Sequence, residues 1–389
     1  MKKKIVIVTR RMVMGGIERA LISMLESIPK THFDVTVLVM GTGGELEKEI
    51  PDHVNVDCIY GYEKSVVEKV WKSTKNGRFI SAFKTSLYTV LAKKTKSVYK
   101  QELYHTKMIP KVKTEYDLAI AYHTPASLPV VFVMNNIKAK SKIAWIHSDV
   151  SQFVKELIPY KEFYEKYDKI FCVSEYAMKK FNDLYPNLKE KTSVFYNLLD
   201  REKMILTAED DEGFSDQFDG FRILTVGRLS FEKGQDIIPK ILMKLRSKNN
   251  NIRWYCIGDG ERRPELERLI TKYGLEKELI LLGTKKNPYN YIRQCDVYVQ
   301  TSRHEGYCIS LAEARAFNKP IITTDFVGAR EQIESGKNGL IVGFDENELY
   351  AAVKFLISNQ KICKRFERNL EKTNVSTTNE IKKLFSCIG

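Results

Sequence analysis

The chain has 389 residues, 43% of them hydrophobic and 29% charged, with a formal net charge of +14. That length exceeds what one ordinary core fills, so two domains are expected, and the mixture is that of a globular rather than a disordered chain. No apolar run reaches the roughly 18 residues that span a bilayer, and seven cysteines without a Cys-x-x-Cys pair argue for reduced thiols in a cytoplasmic protein and against zinc.

In chain order, Lys4–Thr9 reads as a first β-strand. Met1-Lys2-Lys3-Lys4 before Ile5-Val6-Ile7-Val8 imitates a signal peptide, but Arg10 and Arg11 end the apolar run too early. Gly15-Gly16-Ile17-Glu18-Arg19 then leads into a helix with Ala20, Leu21, Met24 and Leu25 at helical spacing. Two glycines let the backbone approach a phosphate at the positive end of that helix. A plain strand-to-helix turn accounts for the same residues, and Gly-x-Gly-x-x-Gly is missing, so a dinucleotide clamp is not expected. Further strands are expected at Asp34–Val39, Leu118–Ala121, Ile143–Ile146 and Ile170–Val173. His123 and His147 each follow a strand end, the second preceding Ser148 and Asp149. A histidine there can bond sugar hydroxyls or polarise an acceptor; one of the two is expected to be structural.

The charge is concentrated. Residues 61–113 hold thirteen basic residues against three acidic ones. Within them Ile80, Phe83, Leu87, Val90 and Leu91 form an apolar stripe at helical spacing, interrupted by Lys84 and Lys94. A basic amphipathic segment of this kind suits an anionic membrane surface or nucleic acid; a solvated helical face is the plain alternative.

Residues 201–220, with Glu209-Asp210-Asp211-Glu212-Gly213, break the periodic pattern and are expected to be an acidic linker. The second half repeats the plan of the first, with strands expected at Arg222–Val226, Ile252–Ile257, Leu279–Leu282, Val297–Gln300 and Pro320–Thr323. Strands alternating with amphipathic helices imply an α/β fold of two Rossmann-like, doubly wound domains facing a cleft, 1–200 and 221–389; the last helix is free to pack back on the first domain. Arg228 and Lys233 share the loop after the second domain's first strand, where a guanidinium fork and an ammonium can meet one diphosphate. Gly258-Asp259-Gly260 is a similar turn. Glu305 and Glu313 bracket Gly306-Tyr307-Cys308-Ile309 at the start of a helix. Carboxylates accept paired hydroxyls and helix amides accept phosphate, a pairing suited to a nucleotide sugar. His304, beside Glu305, is a weaker candidate.

These elements, in this order, resemble the retaining glycosyltransferases of the GT-B fold, in the large family 4. Gly15-Gly16-Ile17-Glu18 resembles its N-terminal glycine loop, Tyr196-Asn197-Leu198-Leu199-Asp200 its strand end before the hinge, and Val226-Gly227-Arg228-Leu229 through Lys233-Gly234 its diphosphate loop. Gly258-Asp259-Gly260 resembles the next turn, and Glu305 through Glu313 the Glu-x7-Glu element. The resemblance implies Gly15 and Gly16 beside the donor phosphate, Arg228 and Lys233 on the diphosphate, and Glu305 on the transferred sugar. It places Glu313 on the ribose and the amides near Cys308 and Ile309 in the phosphate cradle, with Gly306 and Tyr307 against the sugar. His147 matches the family's catalytic histidine better than His123, which with Ser148 and Asp149 falls on the acceptor side. Gly306-Tyr307-Cys308 departs from the Gly-Phe-Pro or Gly-Phe-Gly of many relatives, which leaves the sugar open.

The implied activity is transfer, with retention, from a nucleotide-diphosphate sugar (a UDP-sugar favoured) to an acceptor hydroxyl. The acceptor would be a polyprenyl-linked glycan in bacterial surface polysaccharide synthesis. No metal or other cofactor is expected, and the location implied is cytoplasmic, peripheral on the inner face of the membrane. A non-hydrolysing sugar-nucleotide epimerase of the same fold is the first alternative. A nucleic-acid-binding protein is a distant second, because no helix-turn-helix, RNP or zinc-finger pattern accompanies the basic patch.

Overall fold

The computed structural model describes residues 2–61, 65–210, 213–246, 251–373 and 375–388. It divides into two units, Met1–Leu198 with Asn379–Gly389, and Leu199–Thr378.

The first unit is built on a seven-stranded parallel sheet: β1 (Lys3–Thr9), β2 (Phe33–Val39), β3 (Asn55–Cys58), β4 (Glu115–Thr124), β5 (Lys138–Ile146), β6 (Lys169–Cys172) and β7 (Thr192–Val194), in the order β3-β2-β1-β4-β5-β6-β7. Ile5, Val6, Ile7 and Val8 are all fully buried, so β1 is covered on both faces, as parallel sheets require. The glycine turn opens the helix Gly16–Glu26, whose Ala20, Leu21, Met24 and Leu25 are buried. Between β3 and β4 the described residues make three helices, Val66–Lys75, Phe79–Lys94 and Val98–Met108. Ser65 and Ser97 cap the first and third by accepting from Glu68 N and Lys100 N. The third is tied down by Tyr99, edge-on to Tyr160 and Phe163, and by Asn136 Nδ2 donating to the carbonyls of Thr106 and Ile109. The last helix, Ile381–Phe385, belongs to this unit: Lys383 Nζ donates to Val194 O at 2.8 Å and Phe385 stacks on Phe33.

The second unit has a six-stranded parallel sheet: β8 (Phe221–Val226), β9 (Ile252–Ile257), β10 (Leu279–Gly283), β11 (Val297–Gln300), β12 (Ile321–Thr324) and β13 (Leu340–Val342), in the order β10-β9-β8-β11-β12-β13. Ile223 packs with Ile241, Leu266 and Phe366 in one core, whereas Leu224 packs with Tyr298, Leu311 and Ala314 in another. The alternation along β8 thus puts the helix Ile309–Ala316 against one face of the sheet.

The expected linker is instead folded into this unit. Asp200 caps the helix Arg201–Thr207, and the Asp216 carboxylate accepts from Arg222 Nη2, Arg253 Nη1 and the Tyr255 hydroxyl at 3.2, 2.8 and 2.6 Å. Its partners lie on β8 and β9, so this carboxylate is neutralised by two strands of the sheet. Asp211 and Glu212 fall outside the described residues.

Candidate functional site

In the second unit, backbone packing shapes the loops at the carboxyl ends of the strands. Gly258 has φ +136°, and a Cβ there would lie 2.1 Å from Gly227 O. Gly234 has φ +67°, and its Cβ would lie 2.2 Å from Thr301 O. Only glycine allows these approaches. The Gly227–Gly234 loop is therefore pressed between the turns after β9 and β11, with Thr301 Oγ1 donating to Lys233 O at 2.9 Å and Gln235 Nε2 to Arg228 O at 2.9 Å.

Held there, Lys233 Nζ donates to the Glu305 carboxylate. Ser302 Oγ donates to the same oxygen, Glu305 Oε1, at 2.7 Å. Behind Ser302, Gln300 Nε2 donates to its hydroxyl at 2.8 Å, and Tyr298 OH donates to Gln300 Oε1 at 2.7 Å. Tyr298, Gln300 and Ser302 are at most 1% exposed. Burial works to lower the Lys233 pKa, but the Glu305 carboxylate outweighs it and holds the ammonium above its ordinary value. Arg228 is exposed and its charge acts on both Lys233 and Glu232, so the two cations converge on one end of the sheet.

Arg303 ties the two loops together. Its guanidinium makes two 2.7 Å bonds to Asp236, donates to Phe231 O and lies over the rings of Phe231 and Phe344. Burial pushes Asp236 up, but the bonds and charge of Arg303 pull it below the usual carboxylate range. His304 is exposed, with its amide on Glu232 O.

The helix Ile309–Ala316 starts at Ile309 behind Cys308, which has φ +61°. Tyr307 and Cys308 are buried, and Gln332 Nε2 donates to both of their carbonyls. The turn Gly306-Tyr307-Cys308 is thus braced from behind, and burial pushes the Cys308 thiol up to about 12. Glu313, 6% exposed, accepts from Tyr289 OH at 3.3 Å. The unit therefore gathers Arg228, Lys233, Glu305, the first-turn amides of a helix and Glu313 at one end of its sheet. Sequence reasoning missed Tyr298, Gln300, Ser302, Arg303 and Tyr289. The first three had a signal: polar groups at every second position in and just beyond an apolar strand.

In the first unit, Gly15 is the extended residue before the helix Gly16–Glu26, and Glu18 is buried beside His123, with 3.8 Å between Glu18 Oε1 and His123 Nδ1. Burial, then the Arg10 charge, lowers the His123 pKa to about 3, so this contact joins a carboxylate to a neutral ring. His147 is 8% exposed, edge-on to Tyr122 at 4.5 Å, and its Nε2 has no hydrogen-bond partner among the described residues. Its pKa is also lowered to about 3, by burial first and then by the His123 charge. Both histidines are neutral at pH 7. Asp149 Oδ1 accepts from Ser151 N at 2.9 Å and caps the short turn after β5, so it serves the backbone; Ser148 beside it is partly exposed.

A family model described as Glycosyl transferases group 1 matches residues 210–373. Over 248 residues the chain is 28% identical to an uncharacterized glycosyltransferase of Methanocaldococcus jannaschii, covering 59% of this chain and 61% of that one. It is also 28% identical over 238 residues to the N-acetylgalactosamine-N,N'-diacetylbacillosaminyl-diphospho-undecaprenol 4-alpha-N-acetylgalactosaminyltransferase of Campylobacter jejuni, covering 61% and 62%. The chain thus spans about three fifths of the length of these curated relatives. HepE of Anabaena, solved in complex with UDP and glucose, matches at a TM-score of 0.72 with 18% identity over 99% of each chain. The fold is GT-B. In this GT-B chain the matched residues 210–373 include Arg228, Lys233, Glu305 and Glu313.

Proposed function

We propose that the protein is a glycosyltransferase that takes a sugar from a nucleotide-diphosphate donor, a UDP-sugar, and passes it to an acceptor hydroxyl with retention. The observation that carries this is the bond between Lys233 and Glu305 beside the start of the helix Ile309–Ala316. A cation for a phosphate, a carboxylate for sugar hydroxyls and helix amides for a second phosphate stand at one strand end. The group 1 glycosyltransferase match and the UDP and glucose bound by HepE support the donor.

On this reading the bond from the anomeric carbon to the phosphate oxygen breaks as the bond to the acceptor oxygen forms on the same face. The acceptor's proton passes to the departing phosphate. Arg228 and Lys233 stabilise the charge that develops there, Glu305 holds hydroxyls of the transferred sugar, and Glu313 holds the ribose. Within the first unit, Gly15, Gly16 and the neutral His147 are the candidate hydrogen-bonding groups. The acceptor is a polyprenyl-linked glycan of a bacterial surface polysaccharide; the diphospho-undecaprenol substrate named for the Campylobacter relative supports that choice. The basic segment meets an anionic membrane surface. Among the described residues no helix is long and apolar enough to cross a membrane.

A thermal-shift screen of nucleotide sugars tests the donor, since a true donor raises the melting midpoint by mass action. With that donor, Glu305→Ala is expected to lose transfer more than nucleotide binding, whereas Glu313→Ala weakens both. Full turnover of Glu305→Ala would refute the assignment. Transfer is expected to persist in excess chelator; loss restored only by added metal would sink the cationic mechanism. Turnover of donor alone into a new nucleotide sugar would point to an epimerase.

A further inference from the structure

The helix Phe79–Lys94 is inside out. Its buried residues are Ala82, Thr85 and Ala92, whereas Phe79, Ile80, Phe83, Leu87 and Val90 are from 40% to 75% exposed. The neighbouring helix Val66–Lys75 buries none of its residues and exposes Val67 and Trp71. Large side chains turned outward leave small ones inside. Behind them lies a cavity of about 550 Å³, bounded by all three helices of the insert and Tyr60. That volume is in the range of pockets that hold a small amphiphile.

Three properties of the cavity define its ligand. Its apolar wall includes Val66, Ala92, Met108 and Ile109. Lys69 and Lys93 line it and no carboxylate among the described residues does; Lys69 spends one proton on Tyr60 O at 2.9 Å and, among the described residues, keeps two. His105, bonded to Tyr60 OH at 3.2 Å, is held below its ordinary pKa by burial, so the facing charge at pH 7 is that of the lysines. Finally, Thr85 lines the cavity, is 3% exposed, and its Oγ1 has no hydrogen-bond partner among the described residues. A buried hydroxyl without a partner is costly, and an acceptor oxygen in the cavity would relieve it.

We propose that this cavity binds one phosphate-bearing lipid, with the phosphate on Lys69 and Lys93, an apolar chain along Val66, Ala92, Met108 and Ile109, and a ligand oxygen accepting from Thr85 Oγ1. The exposed apolar row on the same helices gives such a ligand a route from a bilayer. The proposal rests on the membrane-side reading above only for that route; occupancy is independent of sugar transfer.

The test is calorimetric titration of the full chain, without donor and below micelle-forming concentrations. The probes are farnesyl phosphate, lauroyl lysophosphatidic acid, farnesol and inorganic phosphate. The expected result is one-to-one binding of at least one phosphate lipid, at least tenfold tighter than farnesol or inorganic phosphate. A preference for farnesyl phosphate assigns an isoprenoid source and a preference for the lysolipid a glycerolipid source; either sustains the site. Ala92→Trp, which fills the cavity, is expected to abolish binding, and Lys93→Glu, at an exposed position, to weaken it at least tenfold. Absence of one-to-one binding overturns the proposal, as does binding that survives Lys93→Glu unchanged. If Ala92→Trp fails to fold, Lys93→Glu decides. Nucleotide-sugar binding and transfer, measured on the same preparations, separate the two readings: a flat lipid isotherm with donor binding intact strikes this site alone, and an inactive enzyme leaves the isotherm as it was.

Discussion

Lys233 and Glu305, 72 positions apart in the chain, neutralise one another through a direct bond, and Ser302 shares the same carboxylate oxygen. The groups proposed to bind diphosphate and sugar are therefore each other's partner before a donor arrives. A donor must replace or share that bond, so each group is already desolvated and aimed when it does.

The two side chains are 22% and 12% exposed. Removing either partner strands the other, and a broken buried pair costs about 3–5 kcal/mol. Lys233→Ala and Glu305→Ala are each expected to lower stability to urea. The double variant is expected to lose less than their sum, with a coupling of about 0.5–3 kcal/mol. Because the Lys233 pKa is raised above 10.5, the pair's contribution is fully present below that pH and is lost as pH rises beyond it. Additive losses would show that the bond contributes nothing.

Much of this was legible in the sequence, and the rest was hidden for physical reasons. Nine of the ten strands expected from apolar runs are interior and only β10 is at an edge, whereas the three outside that expectation, β3, β7 and β13, all lie at sheet edges. An edge strand need not be apolar on both faces; Asn55 and Asp57 in β3 are exposed. The segment expected to be a linker is folded because Asp216 is held by Arg222 and, from 37 positions away, by Arg253, a partner that no local pattern connects to it. Glu305, Glu313, Arg228 and Lys233 stood out because a glycine-bearing turn and a helix start frame them within a few residues. The relay through Ser302 and Gln300 did not, since buried polar side chains in a strand read as poor strand formers until their partners are known.

Arg303 has no role in the proposed chemistry, yet it fixes the loop that carries Lys233. Arg303→Lys keeps the charge but loses the fork on Asp236, at a cost of about 1.5–3 kcal/mol. The expected kinetic outcome is a raised donor KM with a smaller change in kcat, because the loop is displaced rather than a reacting group removed. Wild-type kinetics in this variant would show that the loop holds its position without Arg303.

His123 and His147 make the first unit sensitive to acid. Both have folded-state pKa values lowered from 6.5 to about 3, chiefly by burial. The unfolded chain binds these protons first, so stability is full above pH 6.5 and falls as pH drops toward 3. The slope is about 1.4 kcal/mol per pH unit for each ring at most. The melting midpoint is expected to fall steeply between pH 6.5 and 4, and His147→Gln to flatten that fall. Between pH 7 and 9 neither ring titrates, so no histidine limb is expected in the rate profile there. A midpoint independent of pH from 6.5 to 4 would refute the neutral assignment.

Cys308 occupies the left-handed region, φ +61°, at the start of the helix Ile309–Ala316. A non-glycine residue pays for that conformation, and glycine does not. Cys308→Gly is accordingly expected to keep the fold, its relief of strain of about 1 kcal/mol offset by the lost packing of a side chain only 5% exposed. Cys308→Pro is expected to fail, because proline fixes φ near −65° and would tear the turn from the Gln332 side chain that bonds both Tyr307 and Cys308. The native thiol, buried and pushed up to about 12, is expected to resist iodoacetamide at pH 8 while the partly exposed Cys58 and Cys387 react first. Mass spectrometry of the alkylated chain and melting curves of the two variants check both points. A stable Cys308→Pro variant would show that the turn can adopt the negative-φ path and that its present shape does not dictate the residue at this position.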